Sequence, residues 1–205
     1  MLNDSGFDLW ADDYDKSVGV SDEENTYPFA GYKKVMNRIF GGVMERRGAV
    51  VLDIGFGTAV LAKRLYDSGN EIFGQDFSKR MIEIATEKMP NAHLYQGDFS
   101  YGLCKELLEH KYDFIVSTYA LHHLDDNQKV SFIKGLLPML NDGGKILIGD
   151  VAFDTRDELE RCKEESKSSW DDDEIYFVFD EMKMHFPKMR FERMSYCSGV
   201  FTLCK

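Results

Sequence analysis

Between residues 50 and 151 the chain alternates two textures. Short apolar runs such as 50–54, 112–118 and 145–151 are nearly unbroken and rich in valine and isoleucine, the habit of strands buried on both faces of a sheet. Between them, apolar side chains return every three or four places, as along a helix with one buried face. The pattern predicts strands over 50–54, 71–75, 92–96, 112–118 and 145–151, helices over 58–68, 78–89 and 126–140, and a weaker helix over 102–110. Such alternation builds a parallel sheet with helices on both faces. The punctuation agrees: Ser78 can cap a helix, Pro90 stands just past a helix end, and Asn141, Asp142, Gly143 and Gly144 form a turn before the fifth strand.

Outside that stretch the texture changes. A short helix over 7–17 carries Trp10 and Tyr14, and a loop over 19–28 leads to a helix over 29–41 in which Tyr32, Val35, Met36, Ile39 and Phe40 share one face. After residue 152 the pattern predicts a charged helix over 154–169, an acidic turn at 171–174, a short apolar run over 175–179 and a helix over 180–186 stopped by Pro187. Two strand-like runs, 189–196 and 200–204, flank Ser198 and Gly199 with hairpin spacing.

The strand over 50–54 ends in a chemically suggestive turn. Asp53 lies two places before Gly55, and Gly57 follows before the next helix. Glycines there let the backbone turn sharply and approach a ligand, whose polar group meets the free N–H groups of the helix start. The dinucleotide fingerprint asks for a third glycine at position 60, and the chain has Val60. The second strand leads into Asp76, an acid placed to accept two ribose hydroxyls.

Composition narrows the possibilities. Of 205 residues, 43% are hydrophobic, enough for a sizeable core in a single domain. No apolar run reaches the ~18 residues that a membrane-spanning helix requires. The opening residues lack the basic and apolar segments of a secretory signal, and Cys104, Cys162, Cys197 and Cys204 follow neither zinc nor disulfide spacing, so reduced thiols and a cytoplasmic location are expected. There are 36 acidic and 25 basic residues. Residues 1–30 and 151–188 together hold a surplus of 13 acidic charges. A nucleic-acid partner is therefore not expected, since phosphate binding needs a basic stripe.

In order along the chain, Asp53 to Ala59, Asp76, Asp98-Phe99, the run Ser117 to Leu124, and Gly143 to Asp150 fall at or lead into the carboxyl ends of successive strands, where open α/β sheets bind ligands. On these motifs the sequence resembles the class I S-adenosylmethionine-dependent methyltransferases. Trp10-Ala11, Tyr14-Asp15, the Phe29 to Tyr32 stretch and the Tyr119 to Leu124 run resemble the uncharacterised bacterial YrrT-type members. The resemblance implies a Rossmann-like, seven-stranded, mostly parallel sheet whose last strand is antiparallel. It also implies a helical lid over 1–47, a cofactor-binding core over 48–151, a cap insertion over 152–188 and a hairpin over 189–205, all in one domain. S-adenosylmethionine is the implied cofactor and a small molecule the implied acceptor.

By the same resemblance Gly55 and Gly57 lie against the methionine part, Asp53 helps orient its amino group, and Tyr14 reaches its carboxylate. Asp76 accepts the ribose hydroxyls, Phe77 packs on one face of the adenine, Asp98 accepts from its exocyclic amine, Phe99 supplies a backbone donor or the other face, and Ser117 belongs to the same site. His122 and His123 are candidate bases or acceptor contacts. As a metal pair they are not expected, because adjacent histidines point apart and no acid stands at ligand spacing nearby. Two alternatives stand beside this reading: a nicotinamide-dependent oxidoreductase on a similar sheet, and a non-catalytic methyltransferase-like binding module.

Overall fold

In a computed structural model, residues 25–205 are described. The first helix among them, α1 (Tyr32–Val43), starts after Gly31, whose left-handed φ of 76° prevents the helix from reaching back to Phe29. Then come β1 (Val50–Ile54), α2 (Val60–Asp67), β2 (Glu71–Asp76), α3 (Lys79–Lys88), β3 (His93–Gln96), a one-turn α4 (Lys105–Leu108) and β4 (Tyr112–Thr118). The chain continues with a 3-10 turn (Leu121–His123), α5 (Asp126–Leu136), β5 (Leu140–Phe153), α6 (Arg156–Glu165), the two-residue β6 (Phe177–Val178), α7 (Phe179–His185), β7 (Arg190–Arg193) and β8 (Ser198–Cys204).

The strands form one sheet in the order β3-β2-β1-β4-β5-β8-β7, with β6 paired to the end of β5. β1 to β5 are parallel, whereas β8 runs antiparallel to both β5 and β7. Alternate residues of β1 feed opposite layers, as period-two side chains must. Val51 joins the apolar layer containing Ile39 of α1, Leu65 of α2, Ala85 of α3 and Leu159 of α6. Leu52 and Ile54 join the layer containing Ile133 of α5 and Met182 of α7.

Two expected boundaries shift for local reasons. Helix α5 gives way to a 3-10 turn at Leu137–Met139, where Pro138 lacks the N–H that would continue the α-helical ladder. The turn expected at 141–144 is instead an irregularity inside β5: Gly143 takes φ 76°, the pairing register with β4 shifts between Tyr112 and Phe114, and Asn141 Nδ2 donates to Asp113 Oδ1 at 2.8 Å. Among the described residues no helix is long and apolar enough to cross a membrane.

The register positions the site. Ile54 is level with Gln75 on one side and with Ser117 on the other. β1 is also where the strand order reverses, since β2 and β3 lie to one side and β4 and β5 to the other. Crevices of open α/β sheets form at the carboxyl ends of strands flanking such a reversal.

Candidate active site

The loops leaving β1, β2 and β4, with residues from 28–36 and 171–174, enclose a cavity of about 470 Å³. One end is built on the glycine turn. Gly55, Gly57 and Ala59 all have positive φ, at 69°, 54° and 63°. A Cβ on Gly55 would stand 2.5 Å from the Ala120 Cβ, so β4's loop packs directly on that backbone; a Cβ on Gly57 would meet nothing within 4 Å. The space above Gly57 is therefore open.

Asp76 closes β2 beside this turn. Its Oδ2 accepts from the Gly57 N–H at 2.9 Å and its Oδ1 from the Ser78 N–H at 3.0 Å, while the Ser78 hydroxyl caps α3 by accepting from the Met81 N–H. These bonds fix the carboxylate's orientation toward the cavity wall. Asp53 lies buried beneath, with Oδ1 lacking a hydrogen-bond partner among the described residues. Burial, aided by the neighbouring Asp76 charge, pushes its pKa up to about 8. Phe56, Val60, Phe77, Met81 and Phe99 give this end apolar walls.

Another part of the lining is aromatic and acidic. Phe29, Tyr32 and Tyr119 pack on one another with ring centroids 5.3 to 6.2 Å apart. On the following 3-10 turn, His122 Nδ1 lies 2.7 Å from Asp150 Oδ1 and its Nε2 3.4 Å from Glu174 Oε1. The Tyr176 hydroxyl donates to Glu174 Oε2 at 2.6 Å, and the Ile175 N–H donates to the His122 carbonyl at 2.8 Å, tying the acidic loop to the histidine turn. Burial opposes the His122 imidazolium, yet the Asp150 and Glu174 carboxylates outweigh it and its pKa is raised. For His123, burial and the adjacent His122 act together and lower the pKa to about 4.

The expectation that the two histidines point apart fails. Their rings approach edge to face at 4.4 Å, and with Glu174 they offer three ligand atoms within 4.8 Å of one another. The acid comes from a distant segment, which is why local spacing did not show it.

Gly55, Gly57, Asp76, Phe77, Phe99, His122 and His123 thus line one cavity. Three other candidates sit off its wall: Asp53 beneath the turn, Ser117 donating to the Ile54 carbonyl at 2.8 Å, and Asp98, exposed beside Phe99, accepting from the Ser100 N–H at 2.8 Å. Tyr14 lies outside the described residues, as does the helix expected over 7–17. Sequence reasoning did not single out Phe56, Tyr32, Tyr119 or Glu174 as site residues. Each nonetheless lay inside a stretch the sequence marked: Phe56 in the Asp53 to Ala59 turn, Tyr32 in the Phe29 to Tyr32 stretch, Tyr119 in the run to Leu124, and Glu174 in the acidic turn.

Comparison with known proteins gives consistent findings. The family model described as methyltransferase domain matches residues 51–144. An uncharacterized methyltransferase of Anoxybacillus flavithermus is 38% identical over 161 residues, covering 78% of this chain and 73% of that protein. Among solved structures, a complex of DhpI with SAH superimposes with a TM-score of 0.71 at 16% identity, over 98% of this chain and 94% of that one. Magnesium protoporphyrin IX methyltransferase from Synechocystis, with bound SAH, gives 0.67 at 15% identity, over 86% and 84%. At such identities the structural likeness speaks for the fold.

Proposed function

The chain belongs to the methyltransferases, and from that premise we propose that it transfers the methyl group of S-adenosylmethionine to a small-molecule acceptor. The observation that carries the proposal is the union, in one cavity, of a glycine-turn end and a histidine-carboxylate end. Family membership answers the oxidoreductase alternative, to which Val60 was already unfavourable.

The residues fit the cofactor. Open space over Gly57 suits its methionine part, and the Asp53 oxygen that has no partner among the described residues suits a nearby positive charge. Asp76, held by two backbone donors, accepts the ribose hydroxyls; Phe77 and Phe99 flank the adenine, whose amine must reach past the cavity lining to meet the exposed Asp98. When bound, S-adenosylmethionine supplies a methyl group already made electrophilic by its sulfonium, so the protein's task is alignment and exclusion of water.

At the other end Tyr32 and Tyr119 shield the acceptor, and Asp150 holds His122 by Nδ1 with Nε2 turned toward Glu174. His122 can then hydrogen-bond the acceptor or take its proton. Asp171, Asp173 and Glu174 on the same wall favour a neutral or cationic acceptor over a phosphorylated one.

The test is incubation of the enzyme and a metabolite extract with methyl-labelled S-adenosylmethionine. Label is expected in a low-molecular-weight product. Label confined to protein or nucleic acid would overturn the acceptor class. Saturable S-adenosylhomocysteine binding without any turnover would favour a binding module instead.

A further inference from the structure

His122, His123 and Glu174 converge although they come from a 3-10 turn after β4 and a loop before β6. We infer that these three side chains form a binding site for one divalent transition-metal ion of the zinc class, at the acceptor end of the cavity. Bonds of ~2.1 Å from nitrogen or oxygen to zinc place neighbouring tetrahedral ligands ~3.4 Å apart. The separation of His122 Nε2 and Glu174 Oε1 is 3.4 Å.

The surroundings are those that orient metal ligands. Histidines that bind metals usually give their second ring N–H to a carboxylate, which fixes the tautomer and raises ligand basicity. Asp150 takes that place on His122 Nδ1, at 2.7 Å and in a fully buried setting. Glu174 is held in the same manner, since the Tyr176 hydroxyl occupies Oε2 and leaves Oε1 toward the histidines. The Ile175 N–H bond to the His122 carbonyl and the Lys129 Nζ bond to the Ile175 carbonyl, 2.8 and 2.6 Å, clamp the two ligand-bearing segments together. The ligand atoms of the three residues lie within 4.8 Å of one another, so His123 has to draw in by an ångström or so to complete a tetrahedral set.

Three protein ligands leave a fourth position for water or a donor atom of a small molecule, the pattern of catalytic rather than structural zinc sites. All three residues line the cavity, so that position is reachable from it. The ion would also meet the negative charge of Asp171 and Asp173 on the same wall. A consequence that rests on the methyl-transfer reading is that the ion would hold the acceptor's nucleophilic atom and lower its pKa, with His122 acting as a ligand and not as a base. Ion binding itself does not depend on that reading.

The test uses untagged full-length protein stripped with a chelator, titrated with zinc by calorimetry and with cobalt by visible absorption. One equivalent of zinc should bind with micromolar or tighter affinity, and cobalt should give the intense visible bands of a four- or five-coordinate site. His123→Gln and Glu174→Gln should each weaken binding at least tenfold, and Asp150→Asn about tenfold. S-adenosylhomocysteine binding by the same samples reports that the variants are folded and tests the cofactor end separately. Absence of saturable zinc binding by the wild type, unchanged affinity in both ligand variants, or a cobalt-thiolate charge-transfer band assigning the ion to cysteine would each overturn the inference.

Discussion

Asp53 and Asp76 stand on adjacent strands at the glycine turn, and their surroundings set them apart. Asp76 has two backbone N–H donors, whereas Asp53 has an oxygen with no partner among the described residues and a pKa pushed up to about 8. At neutral pH the folded protein therefore holds a proton on Asp53 that the unfolded chain has already released. Stability should fall as pH rises from about 4, the ordinary aspartate value, toward about 8, and Asp53→Asn should flatten that decline. Urea unfolding of both proteins at pH 5 and pH 8.5 checks this; parallel curves would refute it. A positively charged ligand above the turn would expel the same proton. S-adenosylmethionine binding near pH 7 should then release protons in the wild type and not in Asp53→Asn, read by calorimetry in buffers of different ionisation enthalpy. For Asp76, charge-assisted hydrogen bonds of ~1.5–3 kcal/mol imply that Asp76→Ala weakens S-adenosylhomocysteine binding by about tenfold to a hundredfold. Because Gly57 and Ser78 lose their acceptor, stability should also fall by ~1–3 kcal/mol. Unchanged affinity would refute the ribose placement.

The turn after β1 shows how one short element combines two separate demands. Gly55 needs both its positive φ and its missing Cβ, since an added methyl would lie 2.5 Å from Ala120 Cβ; Gly57 needs the φ alone, with nothing within 4 Å. Gly57→Ala should therefore cost ~1–2 kcal/mol from backbone strain, and Gly55→Ala that amount plus ~1–3 kcal/mol of overpacking. Thermal unfolding should rank them in that order, and equal losses would refute the distinction. This turn was legible in the sequence because glycine spacing is local, as were β1, β2 and β4, whose unbroken apolar runs admit few other structures. Helix starts were less legible where a left-handed residue intervenes, at Gly31 before α1 and at Ala59 before α2. The acceptor end was hardly legible at all. Asp150 and Glu174 meet His122 only because β5 lies beside β4 and the loop before β6 folds back over the histidine turn. Seen in isolation, the acidic turn at 171–174 looks like a solubilising surface, and its inward-facing members are revealed only by the fold.

Across the whole molecule, the cavity joins parts with separate supports. The glycine turn and Asp76 hang on the central sheet, while Glu174 depends on a loop outside the parallel core. Besides the Ile175 N–H bond to the His122 carbonyl, that loop is pinned in two further ways. Tyr27, Trp170 and Tyr176 form an aromatic cluster, with Tyr27 stacked on Trp170 at 5.0 Å and bonded through its hydroxyl to that of Tyr176. From beneath, the fully buried Lys129 of α5 donates to the Ile175 carbonyl at 2.6 Å and to Asp126 Oδ1 at 3.3 Å, with its ammonium 5.0 Å from the Phe177 ring centroid. Burial lowers the Lys129 pKa despite the acidic neighbours, so its charge is held there at some cost. Replacing it with methionine keeps the apolar stem and removes the ammonium, with its donors and its charge. If the ammonium is what holds the loop, amide exchange at residues 173–176 in Lys129→Met should accelerate at least tenfold, while β1 stays protected and S-adenosylhomocysteine affinity changes less than twofold. Unaltered exchange would assign the loop's order to the aromatic cluster and the Ile175 bond to the His122 carbonyl. Weakened cofactor binding would show that the two ends of the cavity are coupled through β4 and do not stand on independent supports.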